Sequence, residues 1–117
     1  MRDFKKYDIW KLSHQLTLQI YSVTAKFPEK EKFQIISQMQ RAAYSIPSNI
    51  SEGAGRTSDK EFNRFLQMSL GSAHELEYFI LLAKDLEYLE VDKFEELDLK
   101  INTLKRKMYS LSKKLTA

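Results

Sequence analysis

FEELDLKINTLKRKMYSLSKKL, residues 94–115, is the stretch that decides the fold. Its apolar residues recur at alternating intervals of three and four positions, at Phe94, Leu97, Ile101, Leu104, Met108, Leu111 and Leu115. This spacing places the apolar side chains along one face of an α-helix, in the kind of seam that left-handed helical bundles use. The stretch therefore predicts a helix packed in such a bundle.

Three further segments show the helical period. The third segment repeats the seam spacing at Phe62, Phe65, Ser69, Ser72, Leu76, Phe79, Ala83 and Leu86. A second apolar row at Leu66, Leu70, Ala73 and Ile80 widens the stripe, so we expect this helix to be covered on two sides. The first segment carries the apolar row Ile9, Leu12, Leu16, Ile20, Val23 and Phe27. The second carries the row Phe33, Ile36, Met39, Ala43, Ile46 and Ile50. We predict helices at 8–27, 29–53, 58–88 and 92–115. Short connections join them into an all-α, up-down-up-down, left-handed antiparallel four-helix bundle.

The predicted helix ends carry residues that favour them. We expect Asp8 to cap the first helix, Pro28 to lie in the first turn of the second, Ser58 with Glu61 to form a capping box and Asp92 with Glu95 its acidic analogue. These signals support the helix limits given above.

Composition restricts the class of protein. The 117 residues are expected to form one domain, 1–117, and the absence of cysteine excludes disulfides and thiolate metal sites. No stretch approaches the roughly 20 apolar residues of a membrane span, and no apolar run marks a secretion signal. We therefore expect a cytoplasmic protein without membrane contact.

Pro47 lies inside the second helical pattern. It lacks an N–H group and its ring meets the carbonyl of Ala43, so the helix must stop or kink there. Either residues 48–56 form a loop, or a kinked helix runs on to Gly53. We favour the kinked helix because Ile46 and Ile50 keep helical spacing across the proline. Ser45, Ser48 and Asn49 would then satisfy the freed backbone, and Gly53 would form a left-handed C-terminal cap.

Several short motifs together identify a family. They include Asp8-Ile9-Trp10-Lys11, Phe27-Pro28, Arg41-Ala42-Ala43, Ser45-Ile46-Pro47, Glu52-Gly53, Gly55-Arg56, Gly71-Ser72 and Glu75-Leu76-Glu77. With them the chain resembles the four-helix-bundle family encoded by intervening sequences of bacterial 23S rRNA genes, whose relatives include the accessory variability determinant of diversity-generating retroelements. The resemblance implies a homopentamer that associates with nucleic acid and has no enzyme activity. Glu87 departs from the family, which often has glycine there, so we expect the third helix to run on.

The residues themselves offer no catalytic or metal motif. Neither His14 nor His74 follows a glutamate by three positions, as di-iron bundles require, and Tyr78 stands where a zinc-protease helix has its second histidine. Residues 53–55 do not follow a strand, so they are not a dinucleotide-binding loop. We predict a protein that is not an enzyme and that needs no cofactor.

The charges divide between the two ends of the predicted bundle. Residues 85–98 hold seven acidic residues against one lysine, and residues 99–117 hold six basic residues and no acidic residue, although the net charge is only +3. The up-down topology gathers Arg2, Lys5, Lys6, Arg56, Lys60, Arg64, Lys113 and Lys114 at one end, here called the basic pole. We interpret this pole as a binding surface for RNA or DNA phosphates. Alternatively, lysine and arginine there only oppose helix dipoles, and the protein is a scaffold for a protein partner such as a nucleic-acid enzyme.

Other polar and small residues have structural interpretations. Arg41, Asn49, Glu52 and Glu75 lie near apolar positions and are predicted to form a semi-buried network or a subunit contact. Gly71 is expected to allow close helix approach, and Trp10 to cover the core rather than stack on a base.

Apolar residues outside the seams predict self-association. Trp10, Leu18, Tyr21, Leu81, Leu82, Leu99 and Tyr109 have no place in the core of a single bundle. Large exposed apolar patches usually mark interfaces, so we expect a closed homo-oligomer.

Overall fold

The computed structural model describes residues 2–117 and contains four long α-helices, with no strand among those residues. They are α1 (Asp8–Thr24), α2 (Ser37–Ala54), α3 (Asp59–Asp85) and α4 (Val91–Leu115). Contacts between α1 and α2, α2 and α3, and α3 and α4 join neighbours in chain order, and α4 packs back on α1. The predicted up-down-up-down four-helix bundle is confirmed.

The core lies along the centre of the bundle, where all four helices contribute fully buried side chains. Ile20, Met39, Leu66, Leu76 and Leu104 are examples. The central residues of the α4 seam are buried as predicted, whereas Phe94, Leu111 and Leu115 at its ends are partly exposed. On α3 the second apolar row is the more deeply buried, since Ser72 and Phe79 of the predicted seam are only half-buried.

Several predicted helix ends need correction. Tyr7, not Asp8, is the N-cap of α1, and no side chain caps it; Asp8 instead pairs with Lys107 at 2.8 Å. Ser58 does cap α3 by accepting from the Glu61 N–H at 3.1 Å. The acidic capping pair of α4 is not observed, because α4 begins one residue before Asp92.

The start of the second helix is irregular. Pro28 is followed by a 3-10 turn at Glu29–Glu31 and a wide π-helical turn at Lys32–Ile36, in which Gln34 leaves helical dihedrals (φ −115°, ψ −114°). A π turn holds one extra residue, and this rotates Ile35 into the core. Phe33, predicted to be buried, is 83% exposed. The regular part of this helix therefore begins at Ser37 rather than at residue 29.

The helix runs through Pro47 to Ala54, so the loop interpretation is wrong. Pro47 has no N–H for the Ala43 carbonyl. The buried Thr17 hydroxyl of α1 shares its one proton between Ser13 O at 2.8 Å and this carbonyl at 3.1 Å. The Asn49 amide donates to Ser45 instead. The residue that satisfies the freed carbonyl thus comes from another helix.

A double-mutant cycle tests this bond. Thr17→Val is expected to lower the free energy of unfolding by about 1–2 kcal/mol, because the Ala43 carbonyl stays buried without a donor. In a Pro47→Ala background the alanine N–H can donate to the Ala43 carbonyl in place of the Thr17 hydroxyl. The loss of stability caused by Thr17→Val should therefore be smaller by about 1 kcal/mol. Chemical denaturation of the unaltered protein, the two single variants and the double variant gives the four free energies of unfolding that the cycle needs. Thr24→Val is the control, because its hydroxyl donates within α1 and accepts from Gln40 of α2 without contacting Ala43. It should show no such coupling. Equal costs of Thr17→Val in both backgrounds would contradict the assignment.

The glycines on α2 and α3 do not act as predicted. Gly53 lies inside α2 and no described glycine has positive φ, so Gly53 is not a left-handed cap. A Cβ on Gly53 would lie 2.7 Å from Phe65 Cβ and 3.2 Å from the Phe62 carbonyl oxygen. Gly71 is exposed, with nothing within 4 Å of a Cβ built there. The close approach of α2 and α3 therefore depends on Gly53 and not on Gly71.

Glu87 takes the place of the usual C-terminal glycine after α3. Its φ is 65°, its N–H donates to Lys84 O at 2.9 Å, and the Tyr88 N–H donates to Ala83 O at 2.8 Å. This is the Schellman arrangement, in which the left-handed residue is normally glycine. The helix ends at Asp85, and the expectation that it runs on to residue 88 is wrong.

We expect Glu87→Gly to raise the free energy of unfolding by about 1 kcal/mol, because glycine adopts the left-handed conformation without the Cβ penalty. Glu87→Ala is the matched control, since it removes the carboxylate but keeps the Cβ. Denaturant titration of both variants shows whether a gain in stability comes from removing the carboxylate or from relieving the left-handed backbone. An equal gain in the two variants would show that charge is the cause.

Candidate functional site

The N-terminal segment, the α2–α3 turn and the end of α4 meet at one end of the bundle. The Arg2 guanidinium donates to Arg56 O at 2.6 Å, pairs with Asp59 and lies 5.0 Å from the centroid of the Phe62 ring. The pair between Lys107 and Asp8 joins α4 to α1 at the same end. The residues of the predicted basic pole are therefore brought together by the fold.

The charges of the basic pole divide into paired and free groups. Arg2 pairs with Asp59, Arg56 with Glu52 at 3.1 Å, and Arg64 with Glu61 at 3.3 Å. Across residues 2–117 no carboxylate lies within 4.0 Å of the other five side chains, here called the free lysines: Lys5, Lys6, Lys60, Lys113 and Lys114. All five are exposed. The pole is thus less positive than the sequence alone suggested, and its uncompensated charge lies on lysines.

The opposite end carries the acidic residues, as the topology predicted. The long axis of the molecule measures 43 Å, and α3, with 27 residues, spans most of it. Glu87, Glu90, Asp92 and Glu95 are exposed and, in the part of the chain that the structure describes, have no basic partner within 4.0 Å. Lys26, Lys30 and Lys32 also lie toward this end, but acidic residues outnumber basic ones in 26–34 and 85–98 taken together. The two ends of the bundle therefore carry opposite net charge.

Residues 2–117 do not contain the predicted semi-buried polar network. Arg41, Glu52 and Glu75 are exposed, and Asn49 is half-buried. Asn49 donates to Ser45 O and Glu52 pairs with Arg56, so these two side chains serve their own helix. The network does not form because these side chains point away from the core at helix positions next to the apolar stripe, and the alternative of a subunit contact stays a prediction.

A different polar cluster joins α3 to α4, and the sequence reasoning missed it. Glu77 accepts from Lys105 and, at 3.0 Å, from Asn102. The hydrogen bond from Lys105 lowers the pKa of Glu77 below its ordinary value of 4.5, although partial burial opposes this. Glu77 lies one helical turn from the buried Ile80, and Lys105 lies one turn from the buried Ile101 on the facing helix. This position beside the core is the only feature of the sequence that indicates the pair. The cluster fixes the register of the two helices.

The aromatic and histidine side chains near the surface pack on one another. Trp10 is half-buried against the core, its ring stacked on His14 with centroids 4.9 Å apart and an interplanar angle of 8°. His74 Nε2 lies 3.2 Å from the Tyr109 hydroxyl. From Arg2 to Ala117 no group of three or more acidic or histidine side chains is arranged to hold a metal ion. Over the same residues, every helix is too short or too polar to cross a membrane.

Comparisons with known proteins agree with the fold. A family described as 23S rRNA-intervening sequence protein matches residues 5–110. A crystal structure of a protein of unknown function from the S23 ribosomal protein family of Bacteroides thetaiotaomicron superposes with a TM-score of 0.82. The two chains are 24% identical, and the match covers 90% of this chain and 95% of the other. No curated protein matches the sequence significantly.

Proposed function

The chain belongs to the 23S rRNA-intervening sequence protein family, and from this premise we propose that it is a non-catalytic nucleic-acid-binding protein of the bacterial cytoplasm. Its basic pole contacts the phosphates of structured RNA. The observation that carries the proposal is the position of the five free lysines. Three separate parts of the chain bring them to one end, with no carboxylate partner among residues 2–117. Lysines so placed can neutralise phosphates without first breaking an internal ion pair.

The same proposal includes a homo-oligomer, the pentamer that the family resemblance implies. Leu18 is 58% exposed and Leu99 is 65% exposed, and an apolar groove between α1 and α4 is lined by Leu12, Leu16 and Leu99. A monomer gains nothing from exposing these side chains. In a ring the basic poles of several subunits would act together, so that a modest charge per chain becomes a multivalent surface.

A second candidate function is an oligomeric scaffold for a protein partner. The unpaired carboxylates described at the acidic end, and Phe33, which lies in the α1–α2 connection and is 83% exposed, favour it. In that case the acidic end would bind a basic partner, for example a nucleic-acid enzyme, and the chain would not touch nucleic acid itself.

Binding of a structured RNA and of duplex DNA over a range of salt concentrations separates the two candidates. If the free lysines neutralise phosphates, the logarithm of the affinity should fall linearly with the logarithm of the salt concentration. The slope should be about −0.9 per neutralised phosphate on duplex DNA and about −0.7 on single strands. Light scattering in the same buffers reports the oligomer. Particles that stay oligomeric yet retain no nucleic acid at low salt would favour the scaffold.

A further inference from the structure

Two arginines of the basic pole share one aromatic ring. The Arg56 Cζ atom lies 4.7 Å and the Arg64 Cζ atom 4.8 Å from the centroid of the Phe65 ring. We infer that this arginine pair, Arg56 and Arg64 on Phe65, is a stacking site for unpaired nucleobases, so that the pole prefers single strands and loops to duplex. The inference rests on the proposed function and names the form of nucleic acid that the same pole binds.

Phe65 is a rigid support for the two guanidinium groups. It is only 6% exposed, and its Cβ lies so close to Gly53 that no side chain fits between α2 and α3 at this point. Phe65 Cβ is therefore held against α2, and the largely buried ring has little room to move. Its position fixes the pair at the surface of the basic pole.

Each guanidinium has a second contact besides the ring. Arg56 is held by Glu52 at 3.1 Å, and Arg64 by the two oxygens of Glu61 at 3.3 and 3.4 Å. A side chain held before binding loses less conformational entropy when a ligand arrives. Even so, the Arg56 side chain is 43% exposed and the Arg64 side chain 59% exposed, so both remain accessible.

Paired arginines are poor partners for phosphate but suitable partners for bases. The carboxylates already compensate their charge, whereas the planar guanidinium can still stack on a flat ring. Unpaired bases commonly stack on arginine planes and aromatic side chains, and bases inside a duplex cannot reach them. The free lysines nearby would hold the backbone on either side. At the basic pole, the lysines would therefore contact the phosphates and the two arginines would stack on the bases.

The test is an Arg56→Lys/Arg64→Lys double variant, which keeps both charges but removes the planar groups. Affinity for an unstructured RNA oligonucleotide should fall about tenfold. Affinity for an RNA duplex of the same sequence and the salt slope should stay as in the unaltered protein, because the charge is unchanged. An abasic strand of equal length should bind the variant and the unaltered protein equally.

Arg106→Lys is the matched control, since Arg106 is exposed on α4 with Thr103 as its hydrogen-bond partner. It should change none of these affinities. If the double variant binds the unstructured strand as tightly as the unaltered protein does, the inference is wrong while the phosphate-binding proposal stands. If the unaltered protein binds abasic and normal strands equally, the inference is also wrong. If it binds no nucleic acid at low salt, both proposals fail.

Discussion

Gly53→Ala is expected to lower the free energy of unfolding by about 2 kcal/mol, the usual cost of adding a methyl group where no space exists. The new Cβ would lie 2.7 Å from Phe65 Cβ and 3.2 Å from the Phe62 carbonyl oxygen. Both atoms are fixed to the backbone of α3, so no side-chain rotation relieves the clash. The two helices must move apart, and the apolar contacts between them are weakened along their length.

Gly71→Ala is the matched control, and it should change stability in the opposite direction. Gly71 also lies inside a helix, but a Cβ there meets no atom within 4 Å. Alanine is a better helix former than glycine by roughly 0.5–1 kcal/mol. Denaturant titration of both variants at one protein concentration measures the two effects. A loss of stability at Gly71 as large as that at Gly53 would refute the packing explanation.

The sequence predicted the number, order and direction of the helices because these depend on local spacing. The seam of α4 and the cap at Ser58 are visible within a few residues of chain. The partner of the Ala43 carbonyl was missed because Thr17 lies 26 positions away and reaches it only after α1 and α2 have packed. Gly53 was misassigned for the same reason, since its neighbour Phe65 is on another helix. Contacts between helices need the fold before they can be assigned.

At the candidate site too, some features could be predicted from the sequence and others depend on contacts that form only in the fold. Topology alone predicted that the basic residues meet at one end. The pairs of Arg56 with Glu52 and of Arg64 with Glu61 follow spacings of four and three along a helix or its end, so the sequence did hold that signal. The pair of Arg2 with Asp59 joins residues that only the fold brings together. Lysine, rather than arginine, therefore carries the uncompensated charge, and this changes which substitutions test binding.

Replacing Lys5, Lys6 and Lys60 by glutamine is expected to weaken binding of nucleic acid roughly hundredfold at about 0.1 M salt, if each lysine neutralises one phosphate. The log–log salt slope should become shallower by about 0.7–0.9 for each lysine replaced. All three side chains are exposed and unpaired among residues 2–117, so helicity should be unchanged. Fluorescence anisotropy at several salt concentrations gives both quantities, and circular dichroism verifies the fold.

The control variant replaces Lys26, Lys30 and Lys32, which lie toward the acidic end, and it changes the net charge by the same amount. The molecule is 43 Å long, whereas salt screens charges beyond roughly 10 Å at 0.1 M. Charge at the far end therefore cannot contribute much to phosphate binding at the basic pole. The control should keep nearly the full affinity and slope. Equal weakening in the two variants would mean that only net charge matters, and unchanged binding in both would mean that the basic pole does not hold the phosphates.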